Sequence, residues 1–391
     1  MQVNKLSILH IGIKNYPFNS KQSGKSLKGL RGGGMNKYCN TLFDAFPGII
    51  TNVVITQRLD GEKEFEIINN SYIYRIKTFG NRAIRQVYLN LISTIFIPAI
   101  IKKHRIKIIH GHMQIGILIG YLVAKLYKIK CVGTPYSFVT DSNHFSFGKV
   151  AMKIEEVCYN RLDKIIFETK ENLQKAKKIR NITLPNAVVI NTGIEIPKTA
   201  FLTPSKGGKI RIFYIGRIVK IKALDHLINA IALLDENLRK LVKVDIVGEG
   251  EMMDYCKNLI ENHNLSKNIV LHGFVDNTKK FYEECDLFIL PSHMEGLSLS
   301  LLEAMAYGKA CVINDFGIPF NSEELYTMSN NEPESIVKAI QFFLDNKNLI
   351  QDYGIRARSR VQKDFSIKAF SQNHVRLYDN LFSTDFLAFK E

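Results

Sequence analysis

Short apolar runs recur along almost the whole chain, and between them the apolar residues switch to helical spacing. The runs fall at residues 6–11, 53–56, 108–110, 131–133, 164–168 and 188–191 in the first half. In the second they fall at 210–215, 242–247, 269–272, 287–290 and 311–314, with helical patterns at 223–234, 252–262 and 299–307. This alternation demands parallel sheets covered by helices, because a parallel strand pair needs a crossover long enough to hold a helix. At 391 residues the chain is long for one core and sufficient for two. Residues 196–209, with two prolines, Gly207, Gly208 and few large apolar side chains, read as the linker. The expected fold is α/β, with two doubly wound, Rossmann-like domains at about 1–200 and 201–369. Ligands of such sheets bind outside the carboxyl ends of the strands.

Charge is divided unevenly between the halves. Residues 1–200 hold 30 Lys and Arg against 12 Asp and Glu, and the remainder 23 against 25, giving +18, −2 and a total of +16. Such asymmetry implies an acidic partner for the first half: an anionic membrane surface, nucleic acid or a phosphorylated acceptor. The runs at Lys102, Lys103, Arg105 and Lys107 and at Lys175, Lys177, Lys178 and Arg180 equally suit solvated helix ends. They lack interleaved aromatics, and no nucleic-acid module signature is present, so nucleic acid is not expected as a partner. Six scattered cysteines without a Cys-x-x-Cys read as buried thiols in a reducing cytosol. The N-terminal residues read as leading straight into a strand, so no signal peptide is expected. Residues 87–101 are strongly apolar but fall short of the roughly 20 residues that span a bilayer, so a core helix is expected, with an interfacial segment second. The expected location is cytoplasmic, with peripheral contact at the inner face of an anionic membrane.

The densest chemistry lies in LFILPSHMEGLSLSLLEAMAYGKACVIND, residues 287–315, a strand, a loop and a helix ended by Gly308. At that junction loop N–H groups and the helix N-terminus face one crevice and can hold an anion. Glu295 falls at the crevice mouth and Glu303 in the first turns of the helix. For Glu303 two readings stand open, a ligand contact or the acid of a Ser300–Glu303 capping box. After the strand at 210–215 come Gly216, Arg217 and Lys222, a basic pair able to converge on one anion. Gly32, Gly33 and Gly34 precede a helical pattern at 35–46, where glycine lets the backbone approach a phosphate. Ser23–Ser26 imitates the end of a P-loop, but Asn19 stands where the motif needs glycine. No Asp-x-Asp occurs, so charge on a departing phosphate falls to Arg, Lys and helix N-termini, with no metal expected.

In this order and spacing the chain resembles the retaining GT-B glycosyltransferases of family 4. The resemblance spans nearly its whole length and is most specific over residues 210–315. The family's Gly-Arg-x4-Lys is Gly216, Arg217 and Lys222, and its Val-Gly-x-Gly is Val247, Gly248, Glu249 and Gly250. His272, Gly273 and Phe274 follow, then Glu295 and Glu303 as Glu-x7-Glu, continued by Glu-Ala-Met-Ala-x-Gly-Lys through Lys309. The resemblance implies that Arg217 and Lys222 clamp the diphosphate of a nucleotide-sugar donor, Glu303 holds the ribose and Glu295 contacts the sugar. It places the backbone of Gly296, Leu297 and Ser298 along sugar and phosphate, and Phe274 and Val275 along the base. Gly33 and Gly34 close on the diphosphate, and a last helix, about 370–391, rejoins the first domain. Against the family pattern, Met35–Asn36 follow the glycines, Ala223 and Ser298 stand where glycine is common, and Tyr136 stands where a histidine contacts the donor sugar. His110 and His112 fit a strand-end pattern and are expected to be structural. The implied activity is retaining, metal-independent sugar transfer to a glycan or lipid-linked acceptor in cell-surface polysaccharide or lipid-linked oligosaccharide assembly, with no cofactor beyond the donor. A nucleotide-sugar epimerase of the same architecture and a non-catalytic membrane-surface protein are the alternatives.

Overall fold

The computed structural model describes residues 6–14, 16, 34–45, 50–80, 82–136, 148–180, 182–200, 209–315 and 317–382. Gly32, Gly33, the Ser23–Ser26 stretch and most of the 196–209 linker lie outside them. The chain forms two compact units, Met1–Gly193 with Ile367–Glu391, and Ile194–Ser366.

The first unit opens with β1 (Leu6–Ile11), α1 (Gly34–Asp44), β2 (Ile50–Arg58), β3 (Phe65–Ile68) and β4 (Ser71–Lys77). It continues with α2 (Arg82–His104), β5 (Ile108–His112), α3 (Met113–Tyr127), β6 (Lys130–Thr134), α4 (Gly148–Arg161), β7 (Lys164–Phe167), α5 (Lys170–Arg180) and β8 (Ala187–Val189). The strands form one sheet in the order β3-β4-β2-β1-β5-β6-β7-β8, parallel except for the β3–β4 hairpin. In β1 the even positions, Leu6 and Ile8, face a core shared with Tyr38, Leu42 and Phe43, while Leu9 and Ile11 face another shared with Ile97, Ile109 and Ile117. A strand covered on both faces has to be apolar throughout, which is why the run 6–11 carries no clean alternation.

The second unit holds β9 (Ile210–Ile215), a 3-10 turn (Lys220–Lys222), α6 (Leu224–Leu233), α7 (Glu236–Lys240), β10 (Val242–Val247), α8 (Met253–Asn262) and β11 (Ile269–Leu271). After these come α9 (Lys279–Glu284), β12 (Leu287–Leu290), α10 (Leu299–Ala306), β13 (Ala310–Asn314), β14 (Tyr326–Met328), α11 (Pro333–Asp345) and α12 (Lys347–Asp364). Its sheet runs β11-β10-β9-β12-β13-β14, all parallel. Leu224, Leu227, Ile228 and Ile231 give α6 one buried stripe, and Pro333 starts α11 where its missing N–H costs nothing. The last helix, α13 (Ile367–Asp379), packs Phe370, Val375 and Tyr378 into the core of the first unit.

One helix departs from expectation. Residues 87–101 do form a helix, but α2 is not enclosed by core. Leu89, Ile97 and Ile100 are buried, whereas Leu91 is 60% and Ile95 68% exposed. Asn90 and Ser93 are buried, the latter donating its hydroxyl to the Leu89 carbonyl at 2.6 Å. Among the described residues no helix is long and apolar enough to cross a membrane.

Candidate active site

Each sheet reverses direction of winding beside its first strand. In the second unit that point lies between β9 and β12, which pair in parallel at Ile212–Leu287 and Phe213–Phe288. Their carboxyl ends therefore release two loops side by side, 216–223 and 291–298, where ligands of open α/β sheets bind. Arg217 and Lys222 lie on the first loop, Glu295 on the second.

The loops are joined by polar contacts. Lys222 Nζ forms an ion pair with Glu295 Oε1, and Ser292 Oγ donates to the same oxygen at 2.9 Å. The His293 N–H donates to the Ile221 carbonyl at 2.9 Å, tying backbone to backbone. The lysine and glutamate side chains are only 16% and 11% exposed, so the pair is largely withdrawn from water. Arg217 is exposed to solvent. Its charge and that of Glu295 both act on Tyr214, whose hydroxyl, raised chiefly by burial, donates to the Arg217 carbonyl at 3.2 Å.

Close backbone contact makes this edge possible. Gly248 has φ +142°, and a Cβ there would stand 1.8 Å from the Gly216 carbonyl oxygen; one on Gly250 would stand 2.0 Å from that of Ile218. The Val-Gly-x-Gly segment thus lets the β10 end lie against the β9 loop. Ala223 has φ 47° and ψ 42°, the left-handed conformation that favours glycine, and is buried. Its strain explains why glycine is common at that position in the family resembled.

Glu303 is not the acid of a capping box. Ser298 caps α10, accepting from the Leu301 N–H at 3.4 Å, which puts Glu303 beyond the reach of the cap residue's N–H. Instead Glu303 Oε2 accepts from the Tyr282 hydroxyl at 2.9 Å, and the buried Tyr282 ring stacks on Tyr307. Gly296 has open space where a side chain would stand, Leu297 and Val275 pack against the unit's core, and Phe274 is 48% exposed. His272 faces away, its Nε2–H donating to Asp245 Oδ1 at 2.7 Å. Unforeseen in the sequence was Asn331: its amide donates to His293 Nδ1 at 2.8 Å, and its carbonyl accepts from His226 at 2.8 Å. It braces the loop two residues before Glu295, and an asparagine within a polar turn gave no signal of that.

In the first unit the corresponding sheet edge holds a buried polar network. His10 (β1), His110 and His112 (β5) are fully enclosed, their ring nitrogens within 4.8 Å of one another, close enough to suit a metal ion. Every ring nitrogen is already engaged. Asn52 Oδ1 can only accept, so His10 Nε2–H donates to it at 3.1 Å and His10 Nδ1 accepts from His112 Nε2–H at 3.1 Å. His112 Nδ1 then accepts from the Tyr136 hydroxyl at 2.9 Å. His110 bonds Tyr378 and Thr134 at 2.9 and 2.8 Å. Burial drives His10 down to about 3 and His110 and His112 well below their usual value, so all three rings are neutral. Tyr136, at φ 58°, is held with its hydroxyl on His112 and within 3.8 Å of Cys39 Sγ, turned into the domain. Gly34 opens α1, and Gly33 is outside the described residues.

Comparison with known proteins covers most of the chain. Residues 196–360 match the family described as "Glycosyl transferases group 1", and residues 32–197 match "Glycosyltransferase Family 4". An uncharacterized glycosyltransferase of Methanocaldococcus jannaschii is 26% identical over 353 residues, 82% of this chain and 87% of that one. The Escherichia coli UDP-Gal:alpha-D-GlcNAc-diphosphoundecaprenol alpha-1,3-galactosyltransferase is 25% identical over 296 residues, 70% of this chain and 76% of that one. Sucrose-phosphate synthase of Thermosynechococcus elongatus shares the fold at a TM-score of 0.77, with 17% identity, 97% of this chain and all of that one covered.

Proposed function

This chain belongs to the glycosyltransferases of family 4, with the GT-B fold of two Rossmann-like domains, and on that premise we propose that it moves a sugar from a nucleoside diphosphate to a lipid-borne or glycan hydroxyl with retention of configuration. The observation that carries this reading is the placement of Lys222 and Glu295 on adjoining loops at the β9–β12 switch point, with Arg217 on the same edge. Diphosphate entering there competes with Glu295 for Lys222, and freed Glu295 turns to the sugar. Arg217, Lys222 and the N-terminus of α10 offset charge that grows on the departing phosphate. The C1–phosphate oxygen bond breaks, the acceptor oxygen bonds C1 from the same face, and its proton passes to the departing phosphate oxygen. Glu303 would hold the ribose, Phe274 and Val275 the base, and Gly216, Gly296, Leu297 and Ser298 the sugar and phosphate. The resemblance also assigns donor contacts to Gly33, Gly34 and Tyr136. The lipid diphosphate named in the Escherichia coli relative supports an acceptor of that class.

A screen of nucleotide sugars for release of nucleoside diphosphate, with lipid diphosphate saccharides as acceptors, tests this. One donor should give acceptor-dependent release that persists in excess chelator, and its product should keep the donor's anomeric configuration. Inverted product, or release that chelator abolishes and a divalent ion restores, would overturn the mechanism. Epimerised donor without acceptor would point to the epimerase.

A further inference from the structure

Helix α2 carries apolar side chains on both of its faces. Its buried face holds Leu89, Ile97 and Ile100 together with the polar Asn90 and Ser93, while Ile84, Val87, Leu91 and Ile95 fall at i, i+3, i+7 and i+11 and are 56%, 45%, 60% and 68% exposed. Those intervals trace one stripe along the outside of a 23-residue helix. Beside it α3 exposes Leu122 at 56% and Leu126 at 75%. An apolar stripe of this length on a water-facing helix signals something that covers it.

Charge identifies the cover. Between Glu66 and Asp141 the sequence contains eleven Lys and Arg and not one Asp or Glu. Both helices lie in that interval. Lys102 and Lys103 end α2, exposed, and Lys125 and Lys128 flank the exposed end of α3. Long cationic side chains bordering an aliphatic face sit at the headgroup level while the face enters the acyl boundary. Arg75 and Lys130 of that set are paired with Glu62, Glu66 and Asp163, but a second copy of the chain would still bring the exposed lysines of both helices against themselves, and nucleic acid gains nothing from bare aliphatic side chains.

We propose that the outward face of α2, with the exposed leucines of α3, docks the first unit onto an anionic lipid bilayer. Aliphatic side chains supply the depth of insertion and the lysines at the helix ends the preference for acidic lipid. Docking would present the enzyme to an acceptor anchored in that bilayer, a benefit that rests on the acceptor class proposed above.

Flotation of the full chain with vesicles of phosphatidylcholine, alone or mixed with phosphatidylglycerol, tests the surface with neither donor nor acceptor present. Failure here therefore leaves the transferase reading untouched, and failure to find a donor leaves the docking reading untouched. Capture by the mixed vesicles alone is expected, weakening as salt rises. Leu91→Glu with Ile95→Glu should lower partitioning about a hundredfold, since each side chain loses its burial. Lys102→Gln with Lys103→Gln should lower it by about an order of magnitude on anionic vesicles. Both pairs are solvent-exposed, and an unchanged unfolding midpoint verifies that each variant is folded; the lysine pair serves should the glutamate pair fail to fold. The proposal is overturned if the protein stays in solution with mixed vesicles, or if the Leu91→Glu/Ile95→Glu variant floats like the parent. Sedimentation showing a parent dimer that this variant converts to monomer, without vesicle capture, would assign the face to a second copy instead.

Discussion

Replacing Lys222 with alanine distinguishes a clamp from a structural ion pair, because the two roles predict different partners for the damage. The lysine's partner, Glu295, is 11% exposed and keeps one other described contact, the Ser292 hydroxyl. A carboxylate left there without its cation should cost about 2 kcal/mol of stability, within the ~1–3 kcal/mol of an unsatisfied buried polar group and below the penalty of a fully buried charge, because it is part exposed and keeps the Ser292 hydroxyl. Turnover should fall by about two to three orders of magnitude, since the ammonium matters most as the diphosphate leaves. Adding Glu295→Gln removes the orphaned charge, so the double variant should regain most of the stability and none of the turnover. Denaturant unfolding of the apo protein gives the first quantity and nucleoside diphosphate release at saturating donor the second. Near-normal turnover in Lys222→Ala, with stability lost and then restored by the second substitution, would show that the pair merely fastens the two loops.

Three further outcomes follow from the geometry. Glu303→Gln should chiefly raise KM for donor while Glu295→Gln chiefly lowers kcat, and because Ser298 rather than Ser300 caps α10, Glu303→Gln should scarcely move the unfolding midpoint; a large midpoint shift with intact KM would return Glu303 to a structural role. Ala223→Gly should stabilise the protein by about 0.5–1 kcal/mol, the left-handed strain relieved less glycine's extra unfolded-state entropy, and an unfolding free energy that falls would contradict this. The imidazoles of His10, His110 and His112 are depressed in the folded state, so the unfolded chain binds more protons below about pH 6.5. Stability should be complete above that value and decline on acidification toward the folded value, about 3 for His10, by up to ~1.4 kcal/mol per pH unit for each ring; a flat unfolding midpoint between neutral pH and pH 5 would refute it.

Three strands of the second unit were readable to the residue, 210–215, 242–247 and 287–290 being β9, β10 and β12 as expected, whereas β2 and β5 run beyond their apolar cores at 53–56 and 108–110 through polar ends that pair with the neighbouring strands. The β3–β4 hairpin was not readable, because Phe65 and Ile67 of β3 are exposed and its sequence lacks a continuous apolar run. Apolar content and length told that 87–101 is a helix, but they cannot tell which side of it meets the core, and here Asn90 and Ser93 share the inside with Leu89, Ile97 and Ile100 while Leu91 and Ile95 are left outside. The motif residues Lys222 and Glu295 were identifiable because each lies in the loop that follows a buried strand. The His10–His112 contact was not, since it depends on β1 and β5 lying side by side with His10 opposite His110, a pairing between positions about a hundred residues apart that neither segment specifies alone.

The close approach at Gly248 and Gly250 limits what variation data on this protein can mean. A methyl group at either would occupy a carbonyl oxygen of the neighbouring loop, so every side chain is excluded regardless of its chemistry. In a saturation library selected for sugar transfer, both positions will therefore be as invariant as Lys222 or Glu295. Only a parallel selection for abundance of folded protein separates them: the glycine variants will be depleted there as well, whereas conservative replacements such as Glu303→Gln will persist. Intolerance on this strand edge records a shape requirement at two sites and a chemical one at their neighbours, a few residues apart.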